Sequence, residues 1–262
     1  MNVKSMKTAE RVSTDISDNY VFARSVLAYQ KAAGLISGEV LELGTGTGYG
    51  LQLLAAASKS LTSVDKTLAV AKAAVPDTVV VKKMKFPPLA GLASGSYDFV
   101  VSFQVVEHIK NDKFFLQEVK RALKAGGKFI VTTPNKEASL TRNPFHVREY
   151  TFNQLRNLLL DCGFKNVAEY GVFGNDKVMQ YYENNKRQVQ KIARFDILRF
   201  QWWLPRFLLQ IPYDLANRLS RKRLLRQNAP LVSAISPNDY SVEHLEKDCN
   251  RVFFDLFYIA AT

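Results

Sequence analysis

Glu42, Gly44, Gly46, Gly48 and Asp65 have the types and spacing to cradle a small charged ligand, and His108 and His146 can move a proton beside it. The run Val40-Leu-Glu-Leu-Gly-Thr-Gly-Thr-Gly-Tyr-Gly50 starts as a buried strand, turns through alternating glycines and enters an apolar helix over Leu51–Ala57. Glycines let the backbone take positive φ and approach a ligand without Cβ atoms in the way. The helix that follows aims its unpaired N–H groups and positive dipole end at whatever rests on the loop. A nucleotide-like ligand suits such a turn.

Spacing narrows the choice. A dinucleotide fingerprint needs Gly or Ala to close G-x-G-x-x-G/A, but counting from Gly44 that place falls on Tyr49. Glu42 suits a cationic amino group and would be misplaced beside a pyrophosphate. Ser60–Asp65 reads as a second strand ending in an acid, and a carboxylate about 20 residues beyond the loop can accept both ribose hydroxyls. A ribose and an ammonium without phosphate describe S-adenosylmethionine. On these residues the chain resembles the class I, Rossmann-like methyltransferases.

The resemblance continues through Ser96–Phe103 as the fourth strand, Gln104–Ile109 after it, and Leu123-Lys-Ala-Gly-Gly127 turning into the fifth. It covers Val40 to Phe164 and the last dozen residues. It implies an S-adenosylmethionine site built from Glu42, Gly44, Thr45, Gly46, Gly48, Asp65, Lys66, Met84, Phe103 and Gln104. One departure stands out. Many members carry an Asp after strand three for the adenine amino group, whereas this chain has Val81-Lys-Lys-Met-Lys-Phe-Pro87, leaving the backbone near Met84 to read the base.

Methyl transfer from a sulfonium is an in-line displacement, so the protein must align the reactants and, for a hydroxyl acceptor, remove a proton. The chain has only three histidines, and two fall after strands four and five, where a doubly wound sheet binds ligands. Glu107-His108 resembles the Glu-His of quinone-pathway O-methyltransferases, in which a Glu three residues earlier helps hold a divalent cation. Here that residue is Gln104, so no metal is expected. His146 opens His-x-Arg-Glu-Tyr, and Arg148, Glu149 and Tyr150, with Tyr20 from a leading helix, are the expected substrate contacts. The plainer alternatives are His108 as a hydrogen-bonding group at a helix start and Arg148–Glu149 as a surface pair. His244, in a charged stretch, is expected to be exposed.

These residues need a scaffold, and 262 residues at 47% hydrophobic content suffice for one α/β domain with additions. The expected fold is a doubly wound Rossmann-like sheet of about seven strands with the last antiparallel. Residues 1–38 form a helical lid, with a helix over Asn19–Leu35. Residues 39–174 and 249–262 form the core, and 175–248 a basic, aromatic helical insertion. Strand three is placed at Thr78–Val81, a helix at Lys113–Leu123, and a capping box at Thr151–Gln154 starts another helix ending at Gly163. Phe164–Gly171 and Val252–Ala260 read as the last strands. Two cysteines without metal-site spacing, no apolar leader in Met1–Lys7 and no run of 18 apolar residues point to a cytoplasmic protein.

Charge is concentrated. Lys186 to Arg226 holds eleven Lys/Arg against Asp196 and Asp214, which is +9 of the total +12. Phe195, Leu198, Trp202, Trp203, Phe207, Leu208, Ile211 and Leu215 are interleaved with them, and Pro205 and Pro212 should break the segment into short helices. The first reading packs this segment on the sheet or on a second copy in a homodimer. The second lays it peripherally on an anionic inner-membrane surface, and the third uses it for nucleic acid. The functional expectation is O-methylation of a small-molecule, lipid-linked or glycan hydroxyl. Its rivals are an RNA or protein methyltransferase, and a non-catalytic cofactor-binding protein. Strand four ends Ser102-Phe103-Gln104, without the Asn/Asp-Pro-Pro-Tyr of base-amino methylation, and no Pro-Cys nucleophile is present.

Overall fold

The computed structural model describes residues 15–67, 69–70, 75–193, 205–206, 208–210, 213, 229–246 and 249–262. The helices bounded within the described residues include α1 (Asn19–Ala33), α2 (Leu51–Ala57), α3 (Asp112–Ala122), α4 (Phe152–Asp161) and α5 (Asp176–Ala193). The strands are β1 (Glu39–Leu43), β2 (Ser60–Asp65), β3 (Val79–Lys83), β4 (Tyr97–Phe103), β5 (Leu123–Pro134), β6 (Lys165–Gly174), β7 (Tyr240–His244) and β8 (Asp255–Ala261). They form one sheet in the order β3-β2-β1-β4-β5-β8-β6-β7. β1, β2, β3, β4 and β5 pair in parallel, and β8 runs antiparallel between β5 and β6. The order reverses between β1 and β4, which puts a crevice at their carboxyl ends.

The sheet has eight strands among the described residues, where about seven were expected. One of them, β7, lies inside the segment expected as a helical insertion and pairs antiparallel with β6, Val172 opposite Val242. Its Tyr-Ser-Val-Glu-His is too short and too polar to register as a strand within a basic stretch. His244 is exposed, as expected, but sits on this strand, its ring 5.5 Å from that of Tyr170. Most of the insertion's apolar series, Phe195, Leu198, Trp202, Trp203, Phe207, Ile211 and Leu215, lies outside the described residues.

The sheet is covered on both faces, so β1 is buried along Val40–Leu43 rather than alternating. One core layer packs Phe115, Leu116 and Val119 of α3 and Leu155 and Leu159 of α4 against Leu41, Leu43, Phe129 and Val131. The other packs Leu27 and Tyr29 of α1, Leu51 and Leu54 of α2, and Val178 and Tyr181 of α5 against Val40, Val101 and Ile130. At the start of α4 Thr151 and Gln154 form the expected capping box. No helix is long and apolar enough to cross a membrane among the described residues. The two layers leave the carboxyl ends of the strands for the loops that carry the chemistry.

Candidate active site

The glycine loop leaves β1 with positive φ at Gly44 (101°), Gly46 (58°) and Gly48 (84°). The three differ in what surrounds them. A Cβ at Gly44 would stand 2.4 Å from Val105 Cγ2 and one at Gly48 2.7 Å from Val70 Cγ1, whereas one at Gly46 would meet nothing within 4 Å. Gly46 therefore faces open space while its neighbours are packed. Asp65, at the end of β2, accepts from the Gly46 N–H at 2.9 Å through Oδ2, and from the Thr67 N–H at 2.8 Å through Oδ1. Oδ1 also accepts from the Thr67 hydroxyl at 3.1 Å, so the lone pair left for a ligand is on Oδ2.

Glu42 is buried beneath the loop. Its Oε1 accepts from the Tyr29 hydroxyl at 2.7 Å, and its Oε2 accepts from Ser63 Oγ, which in turn takes the Thr45 hydroxyl's proton. Burial pushes its carboxyl up to about 7, against the pull of the Ser63 and Tyr29 hydrogen bonds. Phe103 packs edge-on to Tyr29 at 4.7 Å, so its ring supports α1. Gly50, absent from the expected site, has an equally strict role: a Cβ there would lie 2.0 Å from the Tyr29 ring. Lys66 is exposed, and Met84 is half-buried with its N–H donated to Asp65 O at 2.8 Å. Gln104 follows β4 with φ 57°, a conformation rare for a residue with a Cβ and found where surroundings enforce it. Its N–H donates to Thr132 O at 2.9 Å.

The turn after β4 and the loop after β5 are zipped together. Val147 N–H donates to Glu107 O at 2.7 Å, and His108 Nδ1 contacts Phe145 O at 3.0 Å, which fixes the proton on Nδ1. This brings the two histidine rings edge-to-face at 4.9 Å. His146 Nδ1 donates to Glu149 Oε1 at 2.7 Å, since its Nε2 accepts from Asn143 Nδ2 at 2.9 Å. Glu107 is buried, and its Oε2 accepts from the Thr133 hydroxyl at 3.0 Å. Ligand atoms of Glu107, His108 and His146 all lie within 4.8 Å of one another. That spacing could hold a cation, although no metal was expected here. As it stands, both His146 nitrogens are committed to hydrogen bonds.

Two expected substrate contacts point elsewhere. Arg148 Nη1 donates to Asp112 Oδ2 and Nη2 to Lys110 O, and the Tyr150 hydroxyl donates to the same Asp112 oxygen at 2.8 Å. Both side chains anchor the loop to the start of α3. The Arg148–Glu149 surface pair gives way to Arg148–Asp112 and His146–Glu149. Tyr20 sits in an aromatic cluster with Tyr181, Tyr240 and Phe254. Beside it lies a buried pair that the sequence did not suggest, Arg24 Nε with Asp255 Oδ2 at 3.2 Å. The described part of the insertion reaches the same region, with Arg206 Nη1 donating to His146 O at 3.1 Å and Tyr213 6.4 Å from the Phe145 ring.

A crevice at a strand-order reversal, a glycine loop under an open position and acids ending β1 and β2 define a class I, Rossmann-like methyltransferase fold. The methyltransferase-domain family matches residues 15–169, and the chain belongs to that family. It is similar to a probable S-adenosylmethionine-dependent methyltransferase of Mycobacterium tuberculosis, 36% identical over 176 residues, 63% of this chain and 64% of the relative. A counterpart of the same description in Mycolicibacterium smegmatis is also 36% identical over 176 residues, 63% of this chain and 68% of its own. The chain thus spans about two thirds of these relatives' length. Among solved structures it is similar to a possible histamine N-methyltransferase of Thermotoga maritima (TM-score 0.54, 16% identity, 93% of this chain and 91% of the other). It is also similar to a putative methyltransferase solved with the Trm112 activator of Haloferax volcanii (TM-score 0.56, 16% identity, 94% and 93%). At that identity the likeness is one of fold.

Proposed function

We propose that this chain is an S-adenosylmethionine-dependent O-methyltransferase acting on a hydroxyl of a small-molecule, lipid-linked or glycan acceptor. The observation that carries the reading is the glycine loop, open only at Gly46, between the acids Glu42 and Asp65. The family match and the relatives' names support the cofactor.

When bound, the cofactor supplies a methyl group on a sulfonium, whose departure as a neutral thioether needs no acid. Glu42 faces the amino-acid end, Asp65 the ribose hydroxyls, and the Gly46 backbone lets the ligand approach. His146 takes the acceptor's hydroxyl proton on Nε2 once Asn143 releases that nitrogen, while Glu149 holds the ring through Nδ1. His108, pinned by Phe145 O, keeps the His146 ring in place. The basic insertion, whose Arg206 reaches the His146 loop, serves as acceptor wall and as a peripheral footing on an anionic membrane.

Calorimetry with S-adenosylhomocysteine and with NADH tests the cofactor, and binding of NADH alone would overturn it. Transfer of a radiolabelled methyl group into a product whose label survives alkali then excludes an ester, and failure of that product to bind a cation exchanger in acid separates an ether from an amine.

A further inference from the structure

Asp255 opens β8 beside the end of β5, paired with Pro134, and is 3% exposed. Its Oδ2 meets Arg24 Nε at 3.2 Å, and the Arg24 guanidinium is itself fixed over the rings of Tyr20 and Phe254, 5.4 and 5.8 Å from their centroids. Its Oδ1 is buried and has no hydrogen-bond partner among the described residues. Buried polar atoms almost always have a partner, and an exception calls for an explanation. The explanation lies in what surrounds it. From the turn after β4, Gln104 hydrogen-bonds the Asp255 carboxylate through its side chain and Glu107 adds a like charge nearby, while Glu149, the partner of His146, acts on Arg24. Asp255 and Arg24 therefore stand beside the turn that carries His108, with Oδ1 alone left without a partner among the described residues.

We infer that Asp255, held by Arg24, is an acceptor-binding residue whose unpartnered Oδ1 takes a hydroxyl close to the one being methylated, so that the acceptor is a diol. This rests on the methyltransferase reading above and deepens it. Arg24 already supplies the opposite charge, so what Oδ1 lacks is a hydrogen-bond donor, and a neutral hydroxyl is enough. An acceptor with a single hydroxyl would give its proton to His146 and leave Oδ1 unpaired in a dry site. A site built to bond a hydroxyl rejects analogues that lack it.

The test compares two diols, trans-1,2-cyclohexanediol as a sugar-ring mimic and catechol, with the matching mono-ols cyclohexanol and phenol, using radiolabelled S-adenosylmethionine and the full chain. The wild type is expected to methylate a diol at least about 10-fold better than its mono-ol, the worth of one hydrogen bond to a charged group. The preferred arm separates a sugar from an aromatic source. In Asp255→Ala that preference should collapse through a raised acceptor KM, with S-adenosylhomocysteine affinity kept, and Asp255→Asn, which retains an oxygen acceptor, should restore part of it. Comparing ligand-side and protein-side deletions isolates the contact from general damage to the fold. An equal rate on diols and mono-ols, an unchanged preference in Asp255→Ala, or no transfer into either diol by protein that binds S-adenosylhomocysteine would each overturn the inference. Loss of S-adenosylhomocysteine binding in the wild type would instead sink the methyltransferase reading.

Discussion

The Tyr29 hydroxyl on α1 donates to Glu42 Oε1 on β1 at 2.7 Å, fastening that helix to the acid just before the glycine loop. The bond is buried, and Gly50 exists beside it because any Cβ would strike the Tyr29 ring. The position of α1 and the orientation of the Glu42 carboxylate are therefore coupled through one hydrogen bond.

A pH dependence follows. Burial raises the Glu42 carboxyl from its ordinary 4.5 to about 7. Only the ionised form attracts an ammonium, so S-adenosylhomocysteine affinity should rise as pH passes upward through about 7. For the ligand-free protein the sign is opposite. A carboxyl whose folded pKa is raised binds its proton more tightly when folded, so its stability penalty is absent below 4.5 and grows to about 3 kcal/mol above 7. Glu42→Gln should flatten both profiles. Tyr29→Phe removes a donor that favours the carboxylate, so the binding inflection should move to higher pH. Calorimetric titrations from pH 5.5 to about 8.5 read these effects, and a flat wild-type profile would remove Glu42 from ligand contact.

Substitution along the loop should separate binding from folding. At Gly46 a side chain enters open space at φ 58°, so Gly46→Val should bind no S-adenosylhomocysteine while losing about 1–2 kcal/mol of stability to the left-handed backbone. At Gly44 the added Cβ meets Val105, so Gly44→Ala should lower the melting temperature more than Gly46→Ala does. Asp65→Ala should weaken binding by about 1.5–3 kcal/mol and release the Gly46 N–H. Equal melting temperatures for the two alanine variants would show that the Val105 contact relaxes freely.

The loop and its acids were legible because strand, glycine spacing and terminal acid are all local. So were the central strands, and the histidine loops through their resemblance to other methyltransferases. What local pattern could not show was which charges find each other across the fold. Arg148 and Tyr150 looked like substrate contacts because they neighbour His146, yet Asp112, distant in sequence, claims both. Arg24 and Asp255 carry no local sign of pairing, and only the fold brings them together as a buried pair. β7 escaped notice for a related reason. Five residues with only Tyr240 buried carry little periodic signal, and their pairing depends on the edge of β6.

The histidine cluster predicts metal-independent turnover. Glu107, His108 and His146 are close enough to share a cation, but Phe145 O, Asn143, Glu149 and Thr133 satisfy them without one. EDTA should therefore leave the rate unchanged. His146→Ala should cut kcat by about 10²–10⁴-fold, the usual contribution of a positioned base, with S-adenosylhomocysteine affinity retained. Activity abolished by EDTA and restored by a divalent salt would assign the cluster to a metal instead.

The insertion gives the last prediction. The eleven basic residues from Lys186 to Arg226 are interleaved in sequence with Trp202, Trp203 and Phe207, and Leu208 is 52% exposed beside Arg206, which touches the His146 loop. If the segment is a footing, the protein should co-sediment with phosphatidylserine-containing vesicles, at about 1 kcal/mol per basic residue near the surface. Tryptophan emission should shift to the blue, because both tryptophans of the chain would leave water. Salt should weaken the attraction, which acts within a Debye length of about 8 Å. Docking on RNA would share the salt dependence but would not require tryptophan burial in lipid. A gel shift with RNA and no vesicle binding would thus replace the membrane reading, and binding to neither would return the segment to packing on the core or on a second copy.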